Sequence, residues 1–469
     1  MENQKIEDNK IKSAKHKNVK LYPIYKIFAW DLLFYYSIIF LFLNQVKGIS
    51  VANIVFGNAF YEIFKIVFQP IIPIIVNKIG KRKGTIFGNI FVSLSILYTI
   101  IGKPSMIYMI TFNLIMALGY ILKGVCEASI LDECITDMEN KNSIFSKIDG
   151  RGSAYWYAFE AISSLITGFL FVINGYIPMY LCFIFCIIGT IISANFENYE
   201  VKHKDLITEK HKIRALKQKV DLDIQEYLFI FKSKRLRALL MFSGFFHGLL
   251  YVRSTLTSSL LVEMNVPDEF FGIIIGALTM FAAIATFKQN ILHKKLHNKL
   301  MTVLSLTYIF SLIIIGIVIN LKIYFIITLV IAITMMAIQN MIKGPYYTLI
   351  KRYLNSFSNP KISTKIYSVN SFVEDIGGTM ISLIVSVLLK YFSSANTTLF
   401  IGIFSLFLFI AVLDYMRTRI GLKPEEYRKQ DIEFVPKIKQ EPTDINSVGI
   451  SIDVDERGEN KIDVYTLTK

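Results

Sequence analysis

Apolar residues come in long blocks along this chain, and short polar links separate them. A helix needs about 20 predominantly apolar residues to cross a bilayer, and by that ruler about twelve blocks qualify. They lie near 24–46, 51–76, 84–102, 105–131, 153–174 and 177–195, then near 237–262, 269–289, 300–319, 322–343, 366–391 and 396–417. Between the two sets lies a polar stretch, 196–236, in which basic and acidic residues are interspersed. It reads as a cytoplasmic loop joining two membrane halves. The pattern predicts an all-α membrane protein with an N-tail (1–20), a first helical set (21–195), the central loop (196–236), a second set (237–418) and a C-tail (419–469).

Charge placement supports the same division. Lysine and arginine gather in alternate links: Lys78, Lys81, Arg82 and Lys83 in the second, Lys288, Lys294, Lys295 and Lys299 in the eighth, Lys351, Arg352, Lys361 and Lys365 in the tenth. The opposite links carry few basic residues. Basic loops stay on the cytoplasmic side, so both termini are expected there, in a bacterial-style inner membrane. The chain is 53% hydrophobic with a mean hydropathy of +0.48, more apolar surface than a soluble core of this length can hide. Net charge is +15, but acids interrupt the basic stretches, which argues against a nucleic-acid partner. The four cysteines (126, 134, 182, 186) have neither disulfide-framework nor zinc spacing. The first apolar block is long and lacks a small-residue cleavage site, so it is expected to remain as a signal anchor. The N-tail reads as solvated. The C-tail, with Pro424, Pro436 and Pro442 and few large apolar residues, reads as disordered.

The halves resemble each other. Leu122-Lys123-Gly124 meets Ile342-Lys343-Gly344, Ser146-Lys147-Ile148 meets Thr364-Lys365-Ile366, and Trp30-Asp31-Leu32-Leu33-Phe34 meets His247-Gly248-Leu249-Leu250-Tyr251, at nearly constant offset. Parallel repeats of this kind suit one architecture of membrane transporter. The second link adds a motif. Asn77-Lys78-Ile79-Gly80-Lys81-Arg82-Lys83, preceded by Pro73, resembles the cytoplasmic signature of the major facilitator superfamily, in which Gly80, Lys81, Arg82 and Lys83 match and Lys78 stands where the family has Arg. Pro73 replaces the family's first glycine and Asn77 its acid, so the inner-gate charge network that the acid serves is expected to be weaker or built elsewhere. The resemblance covers about residues 20–420. It implies twelve transmembrane helices in two six-helix bundles related by a pseudo-two-fold axis, enclosing a central cavity used by alternating access. The spans that this fold turns toward the cavity are the first, fourth, seventh and tenth.

Ionisable groups inside spans are costly, about 2.5–3.5 kcal/mol each at a helix centre. Those kept here should face a wet cavity or pair internally. Helical periodicity puts Asp31 and Tyr35 one turn apart in the first span, and Tyr120, Gly124 and Glu127 on one face of the fourth with Lys123 at its edge. In the seventh, His247, Tyr251, Ser254 and Ser258 form a stripe beside Arg253; in the tenth, Gln339, Lys343 and Tyr346 share a face. Glu374 and Asp375, adjacent in the eleventh, point in different directions, with Glu374 a cavity candidate. Glu62 and Lys65 have the spacing of a structural pair on one helix, and Lys123 with Glu127 fits either self-neutralisation or function. Asp31 reads as a substrate or proton-coupling group, or as the partner of Lys123, Arg253 or Lys343. Pro345 after Lys343-Gly344 is expected to break the tenth helix, and Asn142–Gly152 to form a cytoplasmic turn. His293 and His297 have the spacing of a metal pair, but no Glu follows, so no metal or cofactor is expected.

These features point to a secondary active transporter, a monomer, moving a small polar or amphipathic solute, its mixed charges favouring a zwitterion or anion. Coupling to protons or another ion is expected. A multi-span enzyme acting on a lipid-linked substrate is the alternative.

Overall fold

The computed structural model describes residues 2–135, 141–197, 225–287, 299–321, 324–356, 363–420, 449–454 and 460–465. The helices run, in order, α1 (Glu2–Ala29), α2 (Ile39–Leu41) leading into a π-turn (Phe42–Val46), α3 (Val51–Phe68), α4 (Ile72–Ile79), α5 (Lys81–Ile101), α6 (Met106–Cys134), α7 (Lys141–Ile173) and α8 (Ile177–Ala194). A short helix, α9, covers 225–232. There follow α10 (Lys234–Glu263), α11 (Glu269–Phe287), α12 (Leu300–Asn320), α13 (Phe325–Ser356), α14 (Ser363–Tyr391) and α15 (Ser394–Ile420). Among the described residues, nine helices are long and apolar enough to cross a membrane. The other expected spans are helical too: α10 is a 30-residue helix rich in serine and threonine, α11 is 19 residues long, and the first span is broken.

Local chemistry explains the boundaries. Ser50 caps α3 by accepting from Asn53 N at 3.3 Å, and Ser105 caps α6 by accepting from Tyr108 N at 3.0 Å. Gly80 joins α4 to α5 at φ +88°, which excludes most other residues. At the far end of α5, the Lys47 ammonium takes the carbonyls of Ile100 (2.7 Å) and Gly102 (3.0 Å). A cation suits that end of a helix, and burial pushes this ammonium below the ordinary lysine range. Helix α7 shows the two solvents of the fold. Glu160, Ser163, Ser164 and Thr167 are buried, while Ile162, Leu165, Ile166, Phe169 and Ile173 form an exposed stripe at helical spacing. An apolar face of that extent requires lipid.

The chain forms two compact units. The first comprises Met1–His203, Phe245–Pro345 and Asp375–Phe407; the second comprises Lys204–Gly244, Tyr346–Glu374 and Leu408–Lys469. The first unit holds α3 through α8 packed closely, with small residues at the crossings. A Cβ on Gly88 would lie 2.9 Å from Lys123 N, and one on Gly316 2.8 Å from Leu399 N. It also joins the two sequence halves through α7 and α11, where Gly168 and Gly272 each bring backbone against backbone. The second unit centres on Phe242, whose ring stands edge-on to Phe409 at 5.7 Å. Around it Tyr346 Oη donates to Ser243 O at 3.2 Å, Arg237 meets the Tyr415 hydroxyl, and Lys365 pairs with Glu226.

Six expectations change. The span near 24–46 is interrupted between Ala29 and Ile39. The span near 51–76 divides at Gln69–Ile71 into α3 and α4, where Pro70 and Pro73 deny the backbone two donors. The N-tail is part of α1, and Ala14 and Asn18 are buried against Cys134 and the end of α8. Asn142–Gly152 is helical, within α7, and Pro345 sits inside an unbroken α13. In the C-tail, Gly449–Val454 (β1) pairs antiparallel with Asn460–Tyr465 (β2). The remainder of that tail, most of the central loop (198–224), and His293 with His297 lie outside the described residues.

Candidate functional site

The interruption of the first span is the centre of the site. Neither proline nor glycine lies in Trp30–Ile38, so the break is imposed by neighbours rather than by local sequence. An ending helix leaves carbonyls without partners, and within a membrane each must be satisfied by protein. Here Lys123, buried on α6, donates to Ala29 O and, at 3.3 Å, to Trp30 O. Trp156 Nε1, from α7, donates to Asp31 O at 3.1 Å. Phe34 takes a left-handed φ of +60°, a conformation costing an L-residue about 1–2 kcal/mol. Strain held in place by surrounding contacts marks a functional segment more often than a purely structural one.

The break presents the Asp31 carboxylate. Its Oδ1 accepts from Leu32 N at 2.9 Å, from Tyr36 Oη at 2.7 Å and from Tyr120 Oη. Those donors are neutral, so the expected ion pairs from Asp31 to Lys123, Arg253 or Lys343 are replaced by hydroxyls and a backbone amide. Lys123 instead lies 3.7 Å from Glu127, which accepts from Tyr25. Tyr36 is 46% exposed although its hydroxyl is engaged, and a Cβ on Gly124 would meet nothing within 4 Å. The face of α6 carrying Tyr120 and Gly124 therefore borders free space.

A second constellation lies in the same unit. Lys65 on α3 bridges Glu62 of its own helix (3.1 Å) and Asp375 of α14 (2.6 Å). Next to it Tyr251 Oη donates to Asn58 O at 2.9 Å, and Asn58 Nδ2 reaches Thr255 at 3.3 Å. The His247 ring stacks on Tyr251 with centroids 6.3 Å apart. Arg253 donates to Asn340 Oδ1 at 2.6 Å. Lys343 has Arg253 and Asp31 as charged neighbours. Gln339 is buried, and its Nε2 finds no partner among the described residues. Tyr35 packs in the apolar core of this unit.

Most of the expected cavity residues thus share one unit: Asp31, Tyr35, Tyr120, Lys123, Glu127, His247, Tyr251, Arg253, Gln339 and Lys343. Glu374 does not; it belongs to the second unit, where it accepts from Ser243 at 2.7 Å. Sequence reasoning missed Tyr36 and Trp156 as members, and gave Glu62, Lys65 and Asp375 no part in the site. The spacing of Glu62 and Lys65 was visible, but the third charge stands 310 residues away.

At the second link, Lys81 pairs with Glu133 at the end of α6, and Arg82 donates to Phe196 O and, at 2.8 Å, to Ala194 O at the end of α8. Asn77, Lys78 and Lys83 are exposed. Glu133, the acid that meets Lys81 of the motif, stands on a different helix from Asn77. Among the described residues, no group of three or more His, Cys, Asp or Glu side chains could hold a metal ion.

The sequence model of the Major Facilitator Superfamily matches residues 24–380. No curated protein matches the chain. Solved structures similar to it include the nucleoside transporter NupG (10% identity, TM-score 0.67, covering 87% of this chain and 99% of that one). A POT family transporter in complex with a thioalcohol-conjugated peptide is similar at 13% identity and TM-score 0.60, with 86% and 96% covered. The peptide transporter POT in complex with sulfate is similar at 12% identity and TM-score 0.60, with 87% and 95% covered.

Proposed function

The chain belongs to the major facilitator superfamily, and from that premise we propose that it moves a small zwitterionic solute by alternating access, driven by a proton gradient. As a multi-pass transporter of this family it is not an enzyme, which sets aside the lipid-linked transferase reading. The observation that carries the proposal is the pairing of opposite charges within one aromatic site. Asp31 is held by tyrosine hydroxyls and the Leu32 amide, with no cation among its hydrogen-bond donors in the described residues, while Lys343 has both Asp31 and Arg253 as charged neighbours. A solute ammonium would complete Asp31, and a solute carboxylate or phosphate would meet Lys343 and Arg253. Charge-assisted bonds of this kind are about twice as strong as neutral ones. The structural neighbours named for nucleoside and peptide transport support solute movement as the act, through a shared fold. Twelve crossings, cytoplasmic termini, an inner-membrane location and a monomeric state belong to the same proposal.

The test is flux of radiolabelled amino acids, dipeptides and nucleosides into proteoliposomes of the full chain, with and without an imposed pH gradient. Accumulation of a zwitterionic member that collapses with the gradient supports the reading. Facilitated flux indifferent to every ion gradient discards the coupling. Asp31→Asn keeps the volume and one acceptor but removes the charge. It is expected to lower the affinity for such a solute by tenfold or more, on the order of 1.5–3 kcal/mol for a charged hydrogen bond, with little change in thermal unfolding. Unchanged affinity in that variant removes Asp31 from the site.

A further inference from the structure

Three charged groups tie α3 of the first sequence half to α14 of the second, and their count does not balance. Glu62 and Asp375 are 1% and 2% exposed, and one ammonium, Lys65, lies between them. Two carboxylates against one lysine leave a net charge of one negative unit on two buried acids, while the Lys65 side chain between them is 25% exposed. A buried charge of that kind is costly unless it is paired. The geometry shows where the deficit falls. Lys65 takes Asp375 Oδ1 and Glu62 Oε2, while Asp375 Oδ2 is buried with no hydrogen-bond donor among the described residues. An oxygen in that position is completed by one proton on the pair, which turns the acceptor into a donor or supplies a donor to it. Gly378, one turn beyond Asp375, leaves the space that the Glu62 carboxyl occupies: a Cβ there would stand 3.3 Å from Glu62 Cγ and 3.6 Å from Cδ.

We propose that Glu62 and Asp375 share the coupling proton, and that its binding stabilises the arrangement in which the two sequence halves meet through Lys65. The proton arrives from water and returns to it, with no other bond made or broken. With the proton bound, the site is neutral and tolerates burial. Without it, the extra negative charge favours parting of α3 from α14 and entry of water. The charged and titratable groups facing the pair are Lys65 and Tyr61 on α3 and Tyr251 on α10, with His247 on α10, Lys343 on α13 and Asp31 in the break one neighbour further out. Among them Lys65 alone is close enough to bond either carboxylate through an ammonium. This assignment rests on the transporter reading and gives Asp31 to the solute, leaving the proton to α3 and α14.

The experiment needs no solute. Spin labels at Lys103→Cys and Leu321→Cys, exposed loop positions of the two halves, report their separation by pulsed electron resonance in the full chain reconstituted in liposomes. The near population is expected to rise as pH falls. Glu62→Gln, which imitates the protonated acid, is expected to hold the near population high at every pH, and Asp375→Asn to do the same. Infrared difference spectra of the unlabelled protein supply a second readout, a protonated-carboxyl band that Glu62→Gln or Asp375→Asn removes. A separation independent of pH in the parent, or a parent-like pH response in both variants, overturns the proposal. A response to sodium at fixed pH in place of the response to protons also overturns it. Flux that fails in proteoliposomes while the pH response persists counts against the transporter reading and leaves the proton site standing.

Discussion

Lys123→Met is expected to lower the thermal unfolding temperature of the purified protein and to abolish flux together. The ammonium serves two structures at once. It completes the carbonyls of Ala29 and Trp30, where α1 stops, and it lies 3.7 Å from the buried Glu127 carboxylate. Removing it leaves carbonyl oxygens bare inside the membrane and a carboxylate without its cation. Breaking a buried pair from one side costs about 3–5 kcal/mol, most of it from the charge left behind. The double variant Lys123→Met/Glu127→Gln removes that stranded charge, so it should recover part of the lost stability. Flux should stay absent in the double variant, because the carbonyls still lack a donor and the segment carrying Asp31 is no longer held. Differential scanning fluorimetry on the two variants, with Glu127→Gln as the fourth corner of the cycle, measures the coupling directly. Unfolding of Lys123→Met at the parental temperature would show that the break supports itself.

That break also marks the limit of what the chain's pattern reveals. Blocks of apolar residues predict helices because a membrane leaves no other way to satisfy a backbone, and the helices from α5 to α8 fall close to where the blocks place them. The site face of α6 was equally legible, since Tyr120, Gly124 and Glu127 recur at helical spacing with Lys123 beside them. Features decided by distant residues were not. Nothing in Trp30-Asp31-Leu32-Leu33-Phe34 stops a helix, and its termination comes from Lys123 and Trp156, more than ninety residues on. The polar Asn142–Gly152 segment reads as a turn, yet it stays helical where Lys26 reaches Asp149 at 2.7 Å and lies against Gly152. Pro345 reads as a break, but it removes only one backbone donor, and α13 continues through it. At the break and at Asn142–Gly152 a tertiary contact overrides a local preference of about 1–3 kcal/mol.

Gly272→Val is expected to eliminate the near population of the Lys103→Cys/Leu321→Cys label pair while leaving the protein folded. At this position α11 of the second sequence half touches α7 of the first, backbone to backbone. A Cβ on Gly272 would overlap Ser164 O and stand 3.1 Å from Gly168 N, and a Cβ on Gly168 would overlap Glu269 O. The atoms in the way belong to the main chains of two long helices, so no side chain can swing aside. The helices must separate, and small residues at such crossings are what permits the close approach. Van der Waals packing supplies much of the attraction between helices in lipid, and a gap of 0.5–1 Å forfeits about a quarter to a half of it. Each half keeps its own internal packing, so thermal unfolding should fall only modestly. Gly276→Ala is the control, one turn along α11, because its Cβ would meet Ser164 Cβ at an ordinary 3.5 Å. A near population that survives in Gly272→Val would mean that the joined halves do not depend on this contact. Loss of it at every pH, with Glu62→Gln unable to restore it, would place steric closure at α7 and α11 upstream of proton binding at α3 and α14.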